Sequence, residues 1–239
     1  MINNKRIIGI IPARGGSKGL PEKNIRIING KPLIAWTIEQ AKMSQYLDTI
    51  FVSTDSPKIA SVAEQFECNV PFLRPPEFAQ DSSPTWEAVI HTLDSFEKEK
   101  LFFDYIALFE PTSPLRKKND IDDAIEKLAS DDQAKGLISV GKVHLEHPKI
   151  VKKITNNYVT QYIPQEKLLH LRQQADSAYF PYGVIYMCKV DIYNEEKTFY
   201  TEKTIPFFIE RWQNYEIDDI LDFEINEFLL KKYKDKIYG

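Results

Sequence analysis

The 239-residue sequence predicts an α/β fold, a mostly parallel sheet with helices on both faces. Three observations carry that prediction. Lys5 to Ala13 reads KRIIGIIPA, an apolar run stopped by Arg14-Gly15-Gly16, which is the pattern of a strand buried on both sides and ending in a loop. Beyond it, strand-like runs alternate with helical stripes, and such alternation implies right-handed crossovers within one sheet. Apolar residues make up 43% and charged residues 28%, as in an ordinary soluble globular protein.

The elements follow in order. After the first strand and its loop, a helix is expected from Pro32 to Ser44, where Leu33, Ile34, Trp36, Thr37, Ile38 and Ala41 make a core-facing stripe. A strand at Ile50–Ser53 leads through Asp55-Ser56 into a helix at Pro57–Phe66, then a short extended piece at Val70–Leu73. Helices are predicted at Thr85–Lys98 and Ile121–Ala129, with strands at Tyr105–Phe109 and Gly136–Val140. Between His147 and Tyr162 two alternating segments flank Asn156-Asn157, a pair that tolerates left-handed backbone, and this predicts a hairpin excursion from the main sheet. Strands at Gly183–Cys188 and Ile205–Glu210 and a terminal helix at Asp219–Lys232 close the chain. With no repeat and no Pro/Gly/Ser-rich linker, residues 1–239 are read as a single domain, with 142–180 as an insertion for dimerisation or substrate binding.

Composition excludes several classes of function. A net charge of −4 argues against a nucleic-acid partner, and the Lys231, Lys232, Lys234, Lys236 series suits the solvated last turn of a helix. Cys68 and Cys188 lack the paired spacing of a zinc site and fit a reducing compartment. No apolar run approaches the roughly 20 residues that span a bilayer, and the first ten residues lead into a strand rather than a signal-peptide core, so no membrane role and a cytoplasmic location are expected. His91, His144, His147 and His170 show no metal spacing.

The loop Arg14-Gly15-Gly16-Ser17-Lys18-Gly19-Leu20-Pro21-Glu22-Lys23-Asn24 lies where ligands bind in open parallel sheets, beyond the carboxyl end of the first strand. Its glycines allow a sharp turn that presents backbone N–H groups, and Arg14, Lys18 and Lys23 add three cations, so it reads as a phosphate cradle. The Gly-Lys-Ser/Thr ending of a Walker loop is missing, which argues against a kinase or ATPase.

PAR-x-G-S-K-G at Pro12–Gly19, Lys23-Asn24 and the Asn29–Ile34 stretch NGKPLI resemble the acylneuraminate cytidylyltransferases, the enzymes that make CMP-sialic acid and related CMP-nonulosonates. Further blocks of the same family stand in its order: FVSTD at Phe51–Asp55, PFLRP at Pro71–Pro75, Asp81, PTSPLR at Pro111–Arg116, and Glu216-Ile217-Asp218. The resemblance covers nearly the whole chain. It implies a Rossmann-like nucleotidyltransferase fold, Mg²⁺ as cofactor, and CTP and a nonulosonic acid as substrates. It also implies that the loop from Ala13 through Gly15, Gly16 and Ser17 surrounds the nucleotide. Arg14 and Lys23 then hold the triphosphate beside Asn24, and Arg74 and Thr85 lie around the cytidine.

Such chemistry calls for positioned charge, because in-line attack on the α-phosphate expels pyrophosphate. Asp218 is the candidate metal ligand, and Glu216 reaches the same ion if the segment is extended; acidic residues ahead of a helix also serve as caps, which Asp218 or Asp219 can equally be. Three departures from the family pattern bear on the sugar. Glu110 stands where sialic-acid enzymes commonly carry Gln, Glu216 where Asp is common, and Tyr182 in Tyr182-Gly183-Val184-Ile185-Tyr186 where the family has Asn. The Tyr182 change is consistent with a modified nonulosonic acid such as legionaminic acid, and it is equally compatible with core packing. Arg172 is expected to clamp the substrate carboxylate, with Gln173 and Gln174 reading hydroxyl or acetamido groups. The hairpin excursion makes a homodimer the expected assembly. Two rivals stand beside this reading: a transferase for another acidic sugar such as Kdo, and a nucleotide-binding regulatory protein with weak turnover.

Overall fold

The computed structural model describes residues 1–163 and 175–239. Its centre is a six-stranded sheet of β1 (Ile7–Pro12), β4 (Thr49–Ser53), β5 (Tyr105–Leu108), β6 (Gly136–Lys142), β9 (Tyr179–Lys189) and β10 (Thr204–Phe208), in the order β10-β6-β9-β5-β1-β4. Strands β4, β1 and β5 are mutually parallel, as are β6 and β10, whereas β9 runs antiparallel to both of its neighbours. Small antiparallel pairs form from β2 (Ile27–Ile28) with β3 (Lys31–Pro32) and from β7 (Lys152–Thr155) with β8 (Tyr158–Gln161). The latter turns on Asn156 and Asn157, both with left-handed φ, at the place the sequence predicts.

The apolar run in β1 has the burial it implies. Ile7, Ile8, Ile10 and Ile11 are all at 0% exposure, so both faces of this central strand are covered, each side chain contributing roughly 1.5–3 kcal/mol. Helices α1 (Leu33–Lys42) and α3 (Thr85–Lys98) pack on β1 and β4, while α4 (Asp120–Ala129) packs on β6 and β9. Helix α2 (Pro57–Gln65) starts at Ser56, whose side chain caps the Ile59 N–H. The chain continues after β9 into α5 (Val190–Glu196) and closes with α6 (Ile220–Lys232) and α7 (Lys234–Tyr238). A second apolar cluster joins Leu20 of the first loop to Leu115, Trp212, Ile217, Phe223 and Leu230, binding that loop to the approach to α6.

Three expectations are corrected. Val70–Leu73 forms no ladder; the chain there is anchored by the Arg74 N–H on the Thr54 carbonyl at 2.7 Å. The strand expected at Gly183–Cys188 is longer and antiparallel. A run of apolar residues carries no information on its direction, and β9 enters the sheet at the end where its neighbour β6 leaves it, as antiparallel neighbours do. Lys231 and Lys232 end α6, but Lys234 and Lys236 belong to α7, and Lys236 reaches Glu210 at 2.8 Å.

Along β9 the pairing with β6 jumps from Ile138↔Tyr186 to Val140↔Pro181, a bulge that leaves Tyr182–Ile185 out of register. Its backbone groups find other partners. Ser139 Oγ accepts the Ile185 N–H at 2.9 Å and donates into the bulge, and the fully buried Arg116 donates to the carbonyls of Gly183 and Val184. Arg116 also donates to the Glu110 carbonyl, Thr37 and Gln40, so one guanidinium ties the segment after β5, α1 and β9 together. Burial lowers that guanidinium to about 9, opposed by Asp120, Glu110 and Glu216.

Candidate functional site

The loop after β1 turns on hydrogen bonds of its own. Ala13 N–H reaches the Ser53 carbonyl at 2.9 Å, Gly15 N–H reaches Asp55 Oδ1 at 2.9 Å, and Ser17 N–H reaches the Gly15 carbonyl at 3.1 Å. Asp55, which ends the FVSTD block, thus sets the path of the loop. The buried Asn24 amide donates to the Arg14 carbonyl at 3.1 Å from a 3-10 turn at Lys23–Ile25. These contacts position Arg14, Lys18 and Lys23 around one cleft of about 480 Å³.

Arg14, Ser17, Lys18, Lys23, Asn24, Arg74, Thr85, Glu110 and Asp218 all line that cleft. Ala13, Gly15 and Gly16 are not among its lining residues, and the N–H groups of Ala13 and Gly15 are spent within the protein. Lys23 Nζ donates to the Ile217 carbonyl at 2.6 Å and stands 3.3 Å from Asp218 Oδ1. Arg14 pairs with Asp81 at 2.6 Å, and Lys18 pairs with the other oxygen of the same carboxylate. Those two hydrogen bonds, Lys18 first, hold Asp81 below the usual carboxylate range. Arg74 is buried, and its Nε has no hydrogen-bond partner among the described residues. Burial lowers its affinity for a proton, although Asp55 opposes the effect. Arg74 lines the cleft, and a guanidinium there is the kind of group that a phosphate or a base satisfies.

The acidic segment divides its work. Asp219 caps α6, accepting the Asp222 N–H at 3.0 Å, which leaves Asp218 exposed at the cleft. Glu216 Oε1 accepts from Ser113 Oγ at 2.8 Å and from the Gly183 N–H of the bulge. Of the two candidate metal ligands, Asp218 is therefore the one open to solvent and phosphate, and Glu216 holds the bulge with one of its two oxygens. Among the described residues no group of three or more His, Cys, Asp or Glu is placed to cage a metal ion. A single exposed carboxylate beside a phosphate cleft is the donor set that suits Mg²⁺, which takes one or two carboxylates together with substrate phosphates and water.

Glu110 lines a second cavity as well as the cleft. It and Thr85 line this neighbouring chamber of about 260 Å³, walled by Trp86, Tyr186, Tyr193, Phe199, Tyr200 and Lys197. Lys197 Nζ lies 4.7 Å from the Trp86 ring centroid, and the Tyr186 ring meets Phe199 at 5.7 Å. Glu110 is pushed up to about 7 by burial first and then by the Glu216 charge, against Arg116 and the Thr112 hydroxyl. Burial, reinforced by Glu110, raises the Tyr186 phenol, which stays a neutral hydrogen-bonding group at physiological pH.

Tyr182 is not in this chamber. The bulge turns it into a separate cavity of about 390 Å³ with Phe180, Lys142, Glu146, Arg211 and Tyr215. Arg172 and Gln173, with Gln174 and His170, lie outside the described residues. Trp86, Tyr186, Phe199 and Tyr200 were not reached by sequence reasoning, although Tyr186 ends the block that drew attention to Tyr182. The other three come from two distant stretches, Trp86 in α3 and the adjacent Phe199-Tyr200 after α5, that only the fold brings together.

The comparisons accord with this geometry. A family model described as cytidylyltransferase matches residues 8–237. The CMP-N,N'-diacetyllegionaminic acid synthase of Legionella pneumophila is 37% identical over 231 residues, 95% of this chain and 97% of that protein. The pseudaminic acid cytidylyltransferase of Campylobacter jejuni is 31% identical over 223 residues, 93% and 95% of the two chains. The N-acylneuraminate cytidylyltransferase of Escherichia coli is 30% identical over 220 residues, 92% of this chain but 51% of that relative, so this chain spans about half of its length. Among solved structures, a CMP:2-keto-3-deoxy-manno-octonic acid synthetase complexed with CTP shares the fold at a TM-score of 0.69 and 17% identity, over 95% of this chain and 99% of that one.

Proposed function

The chain belongs to the cytidylyltransferase family, and from that premise we propose that it transfers CMP from CTP to the anomeric hydroxyl of a nonulosonic acid of the legionaminic type, releasing pyrophosphate. One observation carries the proposal: a cationic cleft adjoins an aromatic chamber, with Glu110 and Thr85 lining both. The first suits a nucleoside triphosphate, and the second suits a sugar with apolar N-acyl groups, which stack on ring faces. The 37% identity over nearly full length with a legionaminic acid enzyme favours that branch.

In the reaction the anomeric oxygen attacks the α-phosphorus in line. A new O–P bond forms, the bond to the β-phosphate oxygen breaks, and the hydroxyl proton passes to solvent. Arg14 and Lys18 bind the β- and γ-phosphates, and Lys23, held by the Ile217 carbonyl, neutralises charge that develops at the α-phosphate. Arg74, which lines the same cleft, binds the nucleotide through its guanidinium. Asp218, with Glu216 through its remaining oxygen, would hold Mg²⁺, which supplies charge neutralisation on the phosphates when bound. Glu110 accepts or donates a hydrogen bond to the sugar according to its protonation.

Two copies pair through the β7–β8 hairpin, where Ile154, Tyr158 and Val159 are 70%, 74% and 68% exposed. No described helix is long and apolar enough to cross a membrane, and a CTP-dependent enzyme with two buried free thiols works in the cytoplasm. Mass spectrometry after incubation with CTP, Mg²⁺ and N,N'-diacetyllegionaminic acid tests the function. A CMP-sugar formed in step with pyrophosphate supports it, and bound CTP without product overturns it.

A further inference from the structure

We infer that Asp81 sets the affinity of the cleft for phosphate, as a tethered anion that occupies Arg14 and Lys18 until a triphosphate displaces it. The inference rests on the reading of the cleft as a triphosphate site, and it adds a residue whose charge opposes binding there.

The two cations expected to receive phosphate converge on one carboxylate, Arg14 at 2.6 Å from Asp81 Oδ1 and Lys18 on Oδ2. The three residues come from two segments that line the cleft, Arg14 and Lys18 from the loop after β1 and Asp81 from the segment between Arg74 and Thr85. That segment is tied to itself. A 3-10 turn spans Pro76–Ala79, Gln80 donates to the Pro76 carbonyl at 2.7 Å and to Ser83 Oγ at 3.2 Å, and Ser83 Oγ donates to the Glu77 carbonyl at 2.9 Å. Asp81 is thereby presented to Arg14 and Lys18 from a short folded support.

The pairs are also suited to exchange. The side chains of Arg14, Asp81 and Lys18 are 35%, 41% and 79% exposed, so water screens their attraction and a single carboxylate holds them weakly. A triphosphate offers more charge and more oxygens to the same forked and point donors, and it takes them over. Once transfer is complete, Asp81 competes with pyrophosphate for both cations and so favours its departure. The residue lowers affinity for substrate and product alike, which an enzyme limited by product release tolerates better than tight binding.

Isothermal titration of wild type, Asp81→Asn and Asp81→Glu with CTP, inorganic pyrophosphate and CMP tests the inference. Asp81→Asn is expected to tighten CTP and pyrophosphate by about 3- to 10-fold, the size expected for one or two exposed ion pairs. CMP, which lacks the β- and γ-phosphates, is expected to change by less than about 2-fold, and the gain should shrink as salt is raised. Asp81→Glu keeps the charge and should not tighten either ligand. Equal or weaker binding of CTP by Asp81→Asn, an equal gain for CMP, or tightening by Asp81→Glu would overturn the inference. Failure of the parent reading looks different: the wild type then forms no CMP-sugar, whatever the order of these affinities.

Discussion

The backbone carbonyl of Asp218 occupies the space that a side chain on Gly19 would need. The loop after β1 and the acidic segment ahead of α6 therefore meet at a point where only hydrogen fits, and the same contact sets Lys23 against Ile217 and Asp218.

Gly19→Ala must push the two segments apart, because the clash is with backbone rather than with a flexible side chain. Displacing the phosphate donors by about 1 Å is expected to lower kcat/KM on the order of 10²-fold, with little change in Tm. Steady-state kinetics beside a thermal melt separates this from general destabilisation, in which both quantities would fall together.

Removing either partner of the Lys23–Asp218 contact should act on turnover. Lys23→Ala is expected to lower kcat by about 10²-fold, the size of one lost transition-state donor. A change confined to KM would make Lys23 a binding residue only. Asp218→Ala should lose activity that added Mg²⁺ does not restore, and full activity in that variant would remove Asp218 from the metal's surroundings.

Glu110 gives stability a pH dependence of defined sign. Its folded value lies at about 7, above the ordinary value of 4.5, so the fold favours the neutral acid. Below pH 4.5 the group is protonated in both states and costs nothing. Between there and 7 the unfolded chain ionises first, and stability declines until the folded group ionises as well. Glu110→Gln removes this decline. The variant should match wild type near pH 4 and gain on it through pH 7, by several degrees in Tm at pH 8, and a constant offset across that range would contradict the assignment.

Chamber residues should separate the two substrates. Phe199→Ala removes a wall of the chamber that is not part of the cleft, and it is expected to raise the KM for the sugar acid roughly 10-fold or more while leaving the KM for CTP unchanged. Equal effects on both constants would place the sugar elsewhere.

Much of this was legible in the sequence where local pattern and burial coincide. The β1 run is apolar because both faces are covered, Gly19 in the loop after it leaves room for the Asp218 carbonyl, and Asn156-Asn157 supplies the left-handed residues of a tight hairpin. Arg14, Lys18, Lys23, Asn24, Arg74, Thr85, Glu110 and Asp218 are brought to one cleft from five separate stretches. What local pattern does not encode is direction and long-range company. The reversal of β9 and its bulge are invisible in its composition, and the bulge takes Tyr182 away from Glu110. Arg116 sits in a motif that resembles a binding block, yet its donors are spent on the carbonyls and side chains that shape the site's floor. Trp86, Phe199 and Tyr200 carry no signature of their own until α3 and the segment after α5 bring them together.

The most direct measurement is pyrophosphate release from CTP and Mg²⁺ against N-acetylneuraminic, N,N'-diacetyllegionaminic, pseudaminic and Kdo acids, with each product's mass determined. The account predicts CMP-sugar formation with the highest kcat/KM for the legionaminic acid. CTP binding with no pyrophosphate released on any of the four acids would contradict it and leave a nucleotide-binding protein without turnover.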